Sequence, residues 1–158
     1  MSSPTEAIEM VNSLSDDQAV RALALVLRYR GTVPDPALLR EAEDHLREAA
    51  ADPSLTEYRD PGDGSDAGAL SRAALIHLAA SDPEVIERAV YAAEEVNRYD
   101  AVSIAVGGLV LLALQTEVEL TRNEKGRWRL HIHKKAMRDS TLGRLLTKLI
   151  SLYGPGGK

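Results

Sequence analysis

Two histidines, His131 and His133, and the glutamates Glu117 and Glu119 lie at alternate positions in one stretch, EVELTRNEKGRWRLHIHKK, over residues 117–135. Side chains two apart on a strand point the same way, so His131 and His133 would share a face. Glu117 and Glu119 would do the same on the preceding strand. Two imidazoles and two carboxylates on one surface could hold a divalent metal ion. The same residues also fit a plainer arrangement. Glu119 opposite His131 and Glu117 opposite His133 form a ladder of polar pairs, each worth about 0.2–1 kcal/mol. An open face without outer hydrogen-bond partners binds metal weakly, so the ladder is preferred and no cofactor is expected.

The stretch and the residues just after it are also basic, with Arg122, Lys125, Arg127, Arg129, Lys134 and Lys135, and then Arg138. A basic hairpin beside helices has the form of a wing that touches phosphates. No earlier helix offers the polar, Arg/Asn/Gln/Ser-rich face that a recognition helix needs. Nucleic-acid binding is therefore the second reading. The first is a protein-binding surface centred on Arg127, Arg129, His131, His133, Lys134, Lys135 and Arg138. Catalysis is not expected: there is no phosphate loop, no G-x-S-x-G and no H-E-x-x-H. There is no Cys, which removes thiolate chemistry and disulfides. His77, on an Ala/Leu-rich helix, reads as a packed or half-exposed residue. Asp60, Asp63 and Asp66 lack the spacing of a calcium loop and read as a solvated loop.

The charge is unevenly spread. Residues 115–158 hold ten Lys/Arg and four Asp/Glu, while residues 1–114 hold nine and twenty. The net of −5 thus joins a +6 carboxyl-terminal part to a −11 body. Such a basic module can bind an anion or be held by its own acidic half.

These residues need a scaffold, and hydrophobic periodicity supplies one. Residues 4–14 predict a short helix. Ser15 and Gln18 form a capping-box pattern before DDQAVRALALVLRYR, with Val20, Leu23, Leu25 and Leu27 as its apolar stripe and Gly31 as its stop. Asp35 and Pro36 open a third helix, with Leu38, Leu39, Ala42 and Leu46 inward and Arg40, Glu41, Glu43, Asp44, Arg47 and Glu48 solvated. The Pro-, Gly- and Asp-rich residues 52–66 break the pattern. Two more helices follow over residues 67–80 and from Pro83. The apolar run Ala101–Leu114 reads as a buried helix; the rival is a Gly107-Gly108 hairpin. Asp139 or Ser140 caps a last helix striped by Leu142, Leu145, Leu146, Leu149 and Ile150.

The hairpin register follows from its pattern. Val118, Leu120, Trp128, Leu130 and Ile132 share the buried face if Leu120 lies opposite Leu130. Asn123 then pairs with Arg127 and leaves a Glu124-Lys125-Gly126 loop. Gly126 falls where a type I turn with a bulge needs a left-handed residue.

Three pieces carry a family resemblance: HLREAAADPSL before a loop, the apolar SIAVGGLVLLALQ, and the hairpin VELTRNEKGRW. Together, over roughly residues 46–135, they resemble the effector-associated constant components of actinobacterial conflict and signalling systems. The resemblance implies a non-enzymatic partner or adaptor encoded beside an effector, and it transfers no site residues. The first 45 or so residues have no counterpart in it.

The expected fold is α+β and predominantly helical, with about six helices and one antiparallel hairpin near 116–122 and 128–134. Residues 1–51 would form an amino-terminal helical unit and 52–66 a loop or hinge. Residues 67–153 would hold the remaining helices and the hairpin, and 154–158 a flexible tail. The start lacks a basic, apolar leader, and the longest apolar run is short of the roughly 20 residues a bilayer requires. A cytoplasmic protein with a protein partner is expected. Self-association is a further expectation, because two strands leave edges to cover.

Overall fold

Ser15 Oγ accepts a hydrogen bond from the Gln18 N–H at 3.2 Å, and Gln18 Oε1 accepts one from the Ser15 N–H at 3.0 Å. This reciprocal cap, seen in a computed structural model, starts the second helix where the sequence places it. The structure describes residues 3–32, 35–53, 55, 66–95, 105–114, 118–132 and 140–153. Among them the order is α1 (Pro4–Asn12), α2 (Asp16–Tyr29), α3 (Pro36–Ala50), α4 (Ala67–Ala79), α5 (Pro83–Glu95), α6 (Val106–Ala113), β1 (Val118–Arg122), β2 (Trp128–Ile132) and α7 (Ser140–Tyr153). The class is α+β and mostly helical, with seven described helices against the six or so expected.

Local chemistry explains most of the boundaries. Helix α2 ends at Gly31, whose φ of +86° suits the left-handed position after a helix. Thr32 N–H donates to the Leu27 carbonyl and Gly31 N–H to that of Arg28, the paired bonds of a Schellman ending. Asp35 Oδ1 accepts from the Ala37 N–H at 2.9 Å, with Pro36 as the first helical residue of α3. Asp66 caps α4 through the Ala69 N–H at 2.8 Å.

Helix α4 is the hub, touching α1, α2, α5, α6 and α7. Its Gly68, Leu70, Ser71, Ala74, Leu75, Leu78 and Ala79 are all buried, and small residues among them let neighbours approach on several sides. Helices α1 and α2 also lie against α5, and α3 packs on α6 and β2. One cluster of buried apolar residues runs through every helix and reaches Val118 and Ile132 of the hairpin. The chain has no Phe, so Leu, Ile, Val and Ala fill this core.

The run from residue 105 to 114 is a buried helix over Val106–Ala113, not a Gly-Gly hairpin; residues 101–104 lie outside the described set. The two glycines have specific neighbours. A Cβ on Gly108 would lie 2.2 Å from the Leu39 carbonyl oxygen, and one on Gly107 would lie 2.6 Å from the Tyr153 ring. Their absence of side chains lets α3 and the end of α7 press against the start of α6.

Two details of α3 differ from the expected face. Leu38 is 60% exposed, whereas Leu39 and Leu46 are buried. Leu39, Leu46 and Ala50 fall on one line of the helix, and Leu38, in the first turn, points about 100° away from Leu39. Glu43, expected in solvent, has only 15% of its side chain exposed. It serves α6 instead, as described below.

The hairpin has the predicted register: Val118 opposite Ile132, Glu119 opposite His131, Leu120 opposite Leu130 and Thr121 opposite Arg129. Asn123 N–H donates to the Arg127 carbonyl at 2.8 Å, and Gly126 has φ +78°. Asn123 Oδ1 accepts from the Lys125 and Arg127 N–H groups, which stiffens the turn. Val118 and Ile132 are buried, while Leu120, Trp128 and Leu130 are half-buried. No helix among the described residues is long and apolar enough to cross a membrane.

Candidate functional site

The hairpin is fixed to α3 by two contacts that flank one another in sequence. The Trp128 ring stacks on His45 of α3, with centroids 3.8 Å apart and planes 13° from parallel. Next to it, Arg129 Nε donates to Asp52 Oδ2 at 2.9 Å, just past the end of α3. The strand alternates sides, so the ring goes under the hairpin while the guanidinium reaches along its edge. A stacked pair of this kind is worth about 0.5–1.5 kcal/mol beyond the area it buries.

Between the turn of the hairpin and the end of α3 lies a cleft of about 430 Å³. Asn123, Lys125, Arg127 and Arg129 form its hairpin wall. Glu48 and Asp52 stand on the α3 side, and Ala51, Pro53 and Trp128 supply apolar surface. Lys125 and Arg127 are exposed and have no carboxylate partner among the described residues. Arg122 Nε, in contrast, is tied to the Gly126 carbonyl at 3.1 Å.

The structure brings together Arg127 and Arg129 of the expected binding surface at this cleft, with His131 exposed further along β2. His133, Lys134, Lys135 and Arg138 lie outside the described residues. Of the four groups considered for metal, Glu119 and His131 face each other in register, and Glu117 and His133 lie outside the described residues. No three His, Asp or Glu side chains among the described residues come close enough to share a metal ion.

Sequence reasoning missed the α3 half of this site. His45, Glu48 and Asp52 belong to a segment read as solvated helix and loop, and nothing local ties them to a strand some 80 residues later. The only available signal was complementarity, an acidic helix end and a basic turn in one chain.

A second polar cluster lies at the start of α6. Ala105, at the cap position, offers no side-chain acceptor. Glu43 Oε2 of α3 accepts the Gly107 N–H at 3.2 Å, and the Tyr153 hydroxyl accepts the same N–H at 2.8 Å. That hydroxyl donates to Glu43 Oε2 at 2.5 Å. Burial, reinforced by the Glu43 carboxylate, pushes the Tyr153 hydroxyl far above the ordinary tyrosine range. Arg47 completes the cluster, 3.3 Å from Glu43 Oε1 and 5.5 Å from the Tyr153 ring centroid. These groups cap α6 from two other helices, where negative charge suits the helix dipole. Elsewhere, buried Arg21 donates to the Ala93 carbonyl at 2.6 Å in the last turn of α5.

Compared with known proteins, the chain matches no family model, and no curated protein or solved structure is significantly similar to it.

Proposed function

We propose that the protein is a non-enzymatic protein–protein interaction or adaptor module that binds its partner through the basic hairpin. The observation that carries this reading is the exposed pair Lys125 and Arg127, both without a carboxylate partner among the described residues, lining a cleft whose hairpin turn is held by Asn123. Rigid cationic surfaces of this kind lower the ordering cost of association and steer acidic partners. The polar groups of the Glu43–Tyr153–Gly107 cluster and of Arg21 are spent on joining helices, which supports a structural rather than catalytic use of them. The resemblance over roughly residues 46–135 supports an adaptor role in a bacterial signalling or defence system.

The test is a photo-crosslinking residue placed at Arg127 in the organism of origin, with one at exposed Tyr91 of α5 as control. The reading expects a defined protein adduct from position 127 alone, lost when Lys125 is changed to Glu. Nuclease-sensitive adducts at 127, or no adduct that distinguishes it from 91, would refute it.

A further inference from the structure

The cleft beside the hairpin has two unlike walls over an aromatic floor, and that contrast narrows the partner's chemistry. We infer that it binds an acidic peptide segment, which places carboxylates on Lys125 and Arg127 and an apolar side chain against Trp128 and Pro53. The inference rests on the interaction-module reading and adds to it the class of ligand and the place where it sits.

Arg129 is already matched by Asp52 at 2.9 Å, but Lys125 and Arg127 line the same cleft unmatched among the described residues. A carboxylate near either would form a charge-assisted bond. The opposite wall decides between peptide and nucleic acid. It carries the Glu48 carboxylate and the end of α3, where the helix dipole is negative. A run of phosphates would have to lie against that wall. A peptide brings backbone N–H donors, which suit it, together with side-chain carboxylates for the other side.

A volume of about 430 Å³ is that of a pocket for a few side chains. Its floor does not have to be ordered on binding, because Trp128 is held by His45 and the turn by Asn123. Residues 1–114 carry −11, so an acidic partner is repelled by most of the body and drawn to the carboxyl-terminal part that holds the hairpin. That fixes where the partner lands.

Trp128 is the single Trp of the chain and lines the cleft, so its emission reports occupancy. The probes are a synthetic peptide of alternating Glu and Leu, its Lys and Leu counterpart, and oligothymidylate. The acidic peptide should shift Trp128 emission with saturation and weaken with salt. The double variant Lys125→Glu, Arg127→Glu should lose affinity for it by about tenfold or more while gaining affinity for the Lys peptide. Both positions are exposed at the turn, so an unchanged circular dichroism spectrum establishes that the variant is folded. Equal affinity of the parent and the double variant for the acidic peptide overturns the proposal, as does tighter binding of oligothymidylate or the Lys peptide to the parent. A protein adduct at position 127 combined with no acidic-peptide binding sinks this inference and leaves the interaction module standing. No adduct and no peptide binding sinks both.

Discussion

Gly108→Ala should destabilise the protein, although the same change usually strengthens a helix. Alanine is favoured over glycine in a helix interior by about 1 kcal/mol. Against that gain stands the Leu39 backbone. The new Cβ would meet its carbonyl oxygen at 2.2 Å and its Cα at 2.8 Å. Ordinary contact needs about 3.5 Å, so α3 and α6 would have to part by about 1 Å. The obstructing atoms are backbone, which no rotamer change removes. Overpacking of this kind costs about 1–3 kcal/mol, sometimes more, and parting would also loosen the packing of α3 on α6. The net expectation is a loss of about 2 kcal/mol, or a drop of about 4–8 °C in Tm for a chain of this size. Gly143→Ala is the control. A Cβ there meets nothing within 4 Å, and Gly143 also sits inside a helix, so about 1 kcal/mol should be gained. Urea denaturation followed by Trp128 fluorescence reads both. If the two variants shift stability in the same direction, the close approach of α3 and α6 is wrong.

Tyr153→Phe should cost about 1–3 kcal/mol, because Glu43 loses a buried donor and Gly107 one of its two acceptors. The parent should also show an alkaline loss of stability that this variant lacks. The hydroxyl holds its proton more tightly when folded than in the unfolded chain, where it titrates near 10.0. Its stabilising contribution is therefore complete below that pH and declines as pH rises beyond it toward the higher folded value. Denaturant titrations at neutral pH and at successive alkaline values check both the cost and the slope. A double-mutant cycle of His45→Ala and Trp128→Leu should give a coupling of about 0.5–1.5 kcal/mol; additive effects would mean the stack does not hold the hairpin to α3. Ser15→Ala should cost about 1 kcal/mol in thermal melts through loss of the capping box, and Ser15→Asn much less.

The hairpin shows how far local pattern reaches. Alternation fixed which residues face inward, and Gly126 with Asn123 fixed the turn, so Glu119 opposite His131 followed without any knowledge of the rest of the chain. The capping residues Ser15, Asp35 and Asp66 likewise mark their helices through bonds to neighbours two or three residues away. Asp66 departs from the expectation of a solvated loop, because it closes that loop as the cap of α4. Glu43 is the opposite case. Nothing near it in sequence says that its carboxylate will cap a helix beginning more than 60 residues later.

The amino-acid order alone determined most element types, the strand register and the basic character of the turn, because those depend on side-chain spacing and backbone preferences over a few residues; for the uniformly apolar run 101–114 it left helix and Gly-Gly hairpin open, and the packing of α3 and α7 on Gly107 and Gly108 decided. Folding decided what the turn lies against. The cleft needs Trp128 on His45 and Arg129 on Asp52, with Glu48 and Lys125 lining it from separate elements, and each of these combinations joins residues far apart along the chain. Such pairings arise only when burial of the leucine-rich faces brings α3 under the hairpin, since no short-range interaction specifies them.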